Sequence, residues 1–333
     1  MHAYLPPYHP SRWLVGGHIE TIYPALALRP AGLAYRREIW ETPDGDQVAV
    51  DWLDGPRDAP LVVQLHGLEG SSASHYALAL MHSVRARRWR GVVPHFRGCG
   101  GLPNRRPRAY HAGDTEEIAW YLQTLRSRHD GPIVVAGVSL GGNVLLKWLG
   151  ENGPAASQLI VAAAAVSAPL DLQAAGSVLG SGFNKHVYTR AFLNTLRPKT
   201  LGQLGRFGPE LAQLGVSATK VAGARTLREF DQHVTAPLHG FHGVDDYWQR
   251  ASAKPWLSRI ALPTLVLNAR NDPFLPASAL PGAAEVSDFV TLLQPERGGH
   301  VGFAEGQFPG RIDWLPRCLM AFFGAQLDGL AMP

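Results

Sequence analysis

The order of patterns along the chain predicts an α/β protein: one mostly parallel central sheet with an antiparallel N-terminal hairpin, helices on both faces and a helical lid insertion. Three observations carry that reading. Residues 37–53 alternate around Asp44-Gly45, the turn signature of an antiparallel hairpin. Beyond it the alternation gives way to short unbroken apolar runs, as expected of strands covered on both faces. Segments with helical spacing separate most of these runs, and strands alternating with helices fold as a parallel sheet wrapped on both sides.

Taken in order, the hairpin pairs Glu38-Ile39-Trp40-Glu41-Thr42 with Gln47-Val48-Ala49-Val50-Asp51-Trp52. Apolar runs then predict strands over residues 61–65, 91–96, 133–138, 159–166, 264–268 and 289–293. The clearest helix covers 115–128, with Ile118, Tyr121, Leu122 and Leu125 on one face. Asp114 and Glu117 are spaced as N-cap and N3 of a capping box. Between Pro169 and Pro255 the rhythm changes to amphipathic pieces (Phe183, Val187, Ala191 and Phe192; Leu201, Leu204 and Phe207) with no sheet strand. This predicts a lid at about residues 170–255 inside a single domain spanning 1–333. An insertion between two core strands hangs over the C-terminal sheet edge, where open α/β folds bind ligands.

Composition narrows the class. The 333 residues are 46% hydrophobic and 17% charged, enough for a large core, and 31 basic against 27 acidic side chains give too even a balance to imply nucleic acid. The basic clusters at Arg85, Arg87, Arg88 and Arg90 and at Arg105, Arg106 and Arg108 read as solvated surface. Arg105 and Arg106 also follow a strand end, which places them toward the active-site edge. Two cysteines, Cys99 and Cys318, make no disulfide framework, and with no signal-peptide pattern the expected location is cytoplasmic. The longest apolar stretch, residues 159–170, falls short of the roughly 20 residues a membrane helix needs, so no integral membrane segment is expected.

The chemistry is concentrated at Gly137-Val138-Ser139-Leu140-Gly141, set between an apolar strand and a helical segment. A serine on so sharp a strand-to-helix turn lifts its hydroxyl above the sheet edge, with the amide of Leu140 at the helix start. A serine hydroxyl needs a base and an orienting acid. Asp272 follows the strand over 264–268, and His300 follows the strand over 289–293. Ser139, Asp272 and His300 thus stand in chain order just past strand ends and are expected to converge at one edge. His66-Gly67-Leu68-Glu69-Gly70, directly after the strand over 61–65, is placed to give a second amide, that of Leu68, so that Leu68 and Leu140 would form an oxyanion hole.

With H-G-L-E-G-S (from His66), H-F-R-G-C-G-G-x-P-N-R (from His95), G-V-S-L-G-G-N (from Gly137), R-E-F-D (Arg228 to Asp231), N-D-P-F, G-G-H-V-G-F and the N-terminal G-H-I-E-T-I, the chain resembles the YheT-like branch of the α/β-hydrolase superfamily over nearly its whole length. The resemblance implies the α/β-hydrolase fold and a charge relay on Ser139, Asp272 and His300. It also implies a carboxylesterase or acylglycerol-lipase-like activity in lipid metabolism, through an acyl-enzyme. Acyl transfer to an alcohol by the same relay is the alternative, and a non-catalytic binding protein of the same fold is a remoter one.

Other residues read as structural. His66 and His95 are expected to shape loops, Arg97 to brace one by pairing with a carboxylate, and Cys99 to be a small loop residue. Asp245 and Asp246 rival Asp272 but follow no core strand. No H-E-x-x-H, Walker A or G-x-G-x-x-G pattern occurs, so neither metal nor nucleotide cofactor is expected, and the partner is a small-molecule acyl ester. Phe183, Phe192, Trp248 and Trp256 are the expected lid lining.

Overall fold

The computed structural model describes residues 4–329; residues 1–3 and 330–333 of the expected 1–333 domain lie outside the described residues. Eight strands form one sheet: β1 (Arg36–Glu41), β2 (Gln47–Leu53), β3 (Leu61–Leu65), β4 (Arg90–Pro94), β5 (Ile133–Val138), β6 (Ala162–Val166), β7 (Thr264–Leu267) and β8 (Val290–Leu293). Their spatial order is β1-β2-β4-β3-β5-β6-β7-β8. β1 pairs antiparallel with β2 through the Asp44-Gly45 turn, β2 lies antiparallel to β4, and every other pair is parallel.

Helices α1 (Gly17–Ala27), α2 (His75–Ala86), α3 (Thr115–Arg126) and α4 (Leu140–Asn152) precede β6. The inner strands are buried residue by residue, and their side chains alternate between two apolar layers. In β5, Ile133 and Val135 face the layer holding Ile118, Leu122, Leu145 and Trp148, whereas Val134, Ala136 and Val138 face the layer holding Leu80, Met81, Leu319 and Phe323.

The capping box expected at α3 does not form: Asp114 is the N-cap residue but its side chain makes no cap bond. Its carboxylate takes Arg108 at 3.0 Å, and Glu117 takes Arg97 at 2.5 Å and the Tyr121 hydroxyl at 3.0 Å. Ion pairing overrides the local motif because the buried Arg97 guanidinium needs anions around it; Asp44 and Asp46 supply two more.

Between β6 and β7 lie α5 (Leu172–Leu179), α6 (Gly182–Asn184), α7 (Arg190–Gln213), α8 (Ala218–Gly223), α9 (Leu227–Phe230), α10 (Ala236–Leu238) and α11 (Val244–Ala251), with no strand among them. π-Helical turns at Lys185–Thr189 and Asp231–Thr235 join α6 to α7 and α9 to α10. α7 kinks at Phe207, two residues before Pro209, where φ −126° and ψ 32° leave the helical range. A small core of Leu193, Leu211, Val216, Val221, Phe230 and Val234 belongs to this segment. The last element among the described residues is α12 (Trp314–Asp328), packed with α2 on the second layer. Among the described residues no helix is long and apolar enough to cross a membrane.

Candidate active site

β5 delivers Ser139 to the sheet edge and α4 begins at the next residue. Ser139 has φ 52° and ψ −121°, a conformation a non-glycine residue holds only when its surroundings impose it. The surroundings do so through glycines. A Cβ on Gly141 would stand 2.6 Å from the carbonyl oxygens of both Leu65 and His66, and one on Gly137 would collide with the Gly141 carbonyl. The Ser139 amide is fixed by the Val166 carbonyl at 2.8 Å. Asn143, one turn into α4, donates to the Ala112 and Ala251 carbonyls at 2.9 and 2.8 Å and accepts from the Ala253 amide at 3.0 Å. The end of the helical segment is thereby bolted to the helix that carries the turn.

Ser139, His300 and Asp272 come together. His300 Nδ1 donates to Asp272 Oδ2 at 2.8 Å, which leaves Nε2 to accept from the Ser139 hydroxyl at 3.1 Å. Asp272 Oδ1 accepts from the Phe274 amide at 2.8 Å, and the Phe274 ring stacks on the imidazole with centroids 3.9 Å apart. The rival carboxylates are elsewhere: Asp245 pairs with Arg228, and Asp246 takes the His242 amide and Arg250.

The Leu68 and Leu140 amides have no hydrogen-bond partner among the described residues, and both residues line the cavity beside Ser139. The loop that carries Leu68 is braced by two buried imidazoles. Burial drives the His66 pKa down to about 3 and lowers that of His95, so both imidazoles are neutral braces. His66 joins the Gly67 carbonyl to the Phe96 amide, and His95 joins the Ala49 carbonyl to the Ser72 amide. Cys99 is buried, its thiol pushed up to about 12 by desolvation, far from the range of a nucleophile.

Sequence reasoning passed over the residues that hold the His300 loop. Glu20 Oε2 accepts from Asn271 at 2.6 Å and from the Gly298 amide at 3.0 Å, while Oε1 takes Arg297 at 2.6 Å. Thr21 Oγ1 accepts from the His300 amide at 2.8 Å, and Ser167 Oγ from the Val301 amide at 3.1 Å. The signal for the first pair was present in G-H-I-E-T-I; nothing local to the motif says that its partners lie at the other end of the chain.

A cavity of about 500 Å³ opens over Ser139. Its apolar lining includes Leu68, Leu140, Leu172 and Leu179 together with Phe192, Leu196, Phe230 and Trp248. Two of the four expected aromatics therefore face it. Phe183 does not: it is 51% exposed and leans on His18. Trp256 does not either, because its turn lies along α4 against Gly150, under the Lys147 ammonium. Arg105 and Arg106 are exposed and absent from the wall, the Arg105 amide being drawn to Asp46. The exposed cations on the wall are Lys199 and Arg206, both from α7.

A mostly parallel sheet with serine, acid and histidine in that chain order beyond the ends of three of its strands, β5, β7 and β8, defines a class of proteins. Residues 60–307 match the family described as alpha/beta hydrolase fold, and the chain belongs to that family. Within it the chain is YheT-like: it is 38% identical to YheT of Escherichia coli (strain K12), named as a candidate esterase, over 92% of this chain and 89% of that protein. It is 29% identical to the human phospholipase ABHD3 over 96% of this chain and 79% of that protein. The structure of the Pyrococcus furiosus esterase Pf2001 superposes with a TM-score of 0.54 over 90% of this chain and 97% of that one, at 17% identity, a likeness of fold alone.

Proposed function

We propose that this protein is a serine hydrolase that cleaves carboxylic acyl esters through an acyl-enzyme. The observation that carries the reading is the unbroken hydrogen-bond chain from Asp272 through His300 to Ser139 at the base of an apolar cavity. Ser139 attacks the ester carbonyl as His300 Nε2 takes its proton. The oxyanion is met by the Leu68 and Leu140 amides, each donor of this kind being worth about 3 to 4 kcal/mol of barrier lowering. His300 returns the proton to the leaving alcohol, and Asp272 holds the tautomer and stabilises the imidazolium. Water repeats the sequence on the acyl-enzyme. Residues 170–255 act as a lid whose Phe192, Leu196 and Trp248 enclose the acyl chain. The esterase and phospholipase names of the relatives support this substrate class.

The test is covalent labelling. A fluorophosphonate probe is expected on Ser139, and Ser139→Ala should lose about 10⁴ to 10⁶ in kcat on an ester panel while unfolding like the wild type. An adduct mapped to any other residue, or an alanine variant that keeps its rate, refutes the assignment. Product analysis with water and an alcohol in competition separates hydrolysis from acyl transfer.

A further inference from the structure

Glu69 directly follows the amide proposed for the oxyanion hole, and it is held in a way the relay does not explain. Its φ is 57°, a left-handed conformation unfavourable for a side chain of this size. Tyr110 and Lys199 hold it there, with the Cys99 thiol 3.9 Å from Oε1. The Tyr110 hydroxyl accepts from the Glu69 amide at 2.8 Å and donates to Oε1 at 2.9 Å. The Lys199 ammonium reaches both carboxylate oxygens, Oε1 at 2.9 Å and Oε2 at 2.8 Å. Tyr110 lies on the sheet side, stacked on Phe96 with centroids 5.2 Å apart. Lys199 comes from the middle of α7, on the other wall. The Glu69 side chain is 7% exposed and that of Lys199 42%, so the pair sits at the edge of the cavity with its acid end buried.

We propose that Glu69 and Lys199 are positioning residues for the oxyanion hole, coupling the helical segment to the loop that carries the Leu68 amide. With Lys199 in place, the carboxylate is drawn toward α7 while Tyr110 pins its backbone, and the positive φ follows. The peptide plane preceding Glu69 is then fixed, and with it the neighbouring amide. If α7 withdraws, the Glu69 carboxylate loses the Lys199 ammonium and the strained residue is free to relax. Closure of the segment over a substrate and completion of the hole become one event. Both residues line the cavity but neither bonds Ser139, His300 or Asp272, and an effect that runs through the position of the Leu68 amide falls on the chemical step.

This inference rests on the serine hydrolase reading, and the experiment separates the two. Lys199→Met, Glu69→Gln and the double variant are compared with Lys199→Arg, using a short and a long acyl ester and a small fluorophosphonate. Glu69→Gln keeps an acceptor for Tyr110 and removes the charge. The first two are expected to lower kcat roughly 10- to 100-fold, less than the 10²- to 10³-fold cost of losing a whole oxyanion donor, with KM changed less than about threefold. The double variant should be no slower than the slower single one, as for residues acting as a unit. Lys199→Arg should recover most of the rate, and labelling of Ser139 should slow in step with kcat. Additive losses, losses confined to KM, losses that depend on acyl length, or unfolding temperatures that fall in parallel with activity each overturn the coupling. A wild-type protein that does not label at Ser139 overturns the hydrolase reading itself.

Discussion

On the sheet side of the cavity, position is set by backbone. Ser139 directly follows a parallel strand and Asp272 and His300 sit a short loop beyond one; the Ser139 amide bonds the Val166 carbonyl, the His300 amide bonds Thr21 Oγ1 and the Phe274 amide bonds Asp272 Oδ1. On the helical side, Phe192 hangs from α7, which kinks at Phe207, and Phe230 and Trp248 hang from helices of only 4 and 8 residues, α9 and α11. Helices this short draw little stability from their own hydrogen bonds and depend on packing. A site that needs sub-ångström geometry at the ester carbonyl and tolerance along an acyl chain is well served by such a division. It also makes the two walls respond oppositely to the same kind of change.

The largest such response is expected at Gly141. A methyl group there meets the Leu65 and His66 carbonyls at 2.6 Å, and both belong to backbone held by the sheet. Gly141→Ala should cost more than about 3 kcal/mol of unfolding free energy, on the scale of overpacking a core, and abolish activity by tilting the Ser139 turn. Urea unfolding and an ester assay check both. A variant with wild-type stability would mean that the turn is far more compliant than its geometry implies.

The same division explains what was legible in the sequence. The hairpin could be read from its alternation around Asp44-Gly45, and the inner parallel strands because they are short continuous runs buried on both faces, as Ile133 to Val138 is. Ser139, Asp272 and His300 could be picked out because each follows such a run. The strand expected over 159–166 shrinks to Ala162–Val166 because Gly153–Gln158 turns as a 3₁₀ helix and the chain pairs with β5 only from Ala162. The helical segment was legible as helical and little more. Which of its aromatics faces the cavity depends on kinks and π turns that no periodicity encodes, so Phe192 and Trp248 were placed correctly alongside Phe183 and Trp256, which point elsewhere. Glu69, Glu20 and Asn143 work through partners about 130, 250 and 110 residues away in sequence, and a motif read locally cannot supply those contacts.

An intermediate effect belongs to the helical wall. Asp231 accepts from Thr235 Oγ1 at 2.6 Å and from Trp248 Nε1 at 2.8 Å, and it lines the cavity. No basic side chain pairs with it among the described residues: Arg228 stacks over Trp248 and bonds Asp245, and the neighbouring Tyr247 is neutral. Burial raises its pKa from 3.8 to about 6, against the two hydrogen bonds that lower it. Between those values the folded protein binds the proton more tightly than the unfolded chain, so the stability from this group is full below about pH 4 and is lost as pH rises through about 6. The wild-type unfolding free energy should fall relative to Asp231→Asn by up to about 3 kcal/mol between pH 4 and pH 7, since one pKa unit is about 1.4 kcal/mol. A difference that stays constant across that range would show that the carboxylate is compensated.

The smallest effect should have the opposite sign to that at Gly141, and it tests the compliance of the helical wall directly. Gly205 lies inside α7, and a Cβ built there meets nothing within 4 Å. The residue is exposed, and the helix leaves the regular range only two positions later, at Phe207. Alanine in a helix interior is favoured over glycine because the unfolded chain has less freedom to lose, by about 0.5 to 1 kcal/mol. Gly205→Ala should therefore raise stability by that amount and leave kcat on a short ester unchanged. If the kink at Phe207 draws on the freedom of Gly205, the variant will instead straighten α7, lose stability and shift selectivity among acyl lengths. The sign of one methyl group's effect thus decides whether the kink belongs to Phe207 and Pro209 alone or to the whole Gly202–Pro209 stretch.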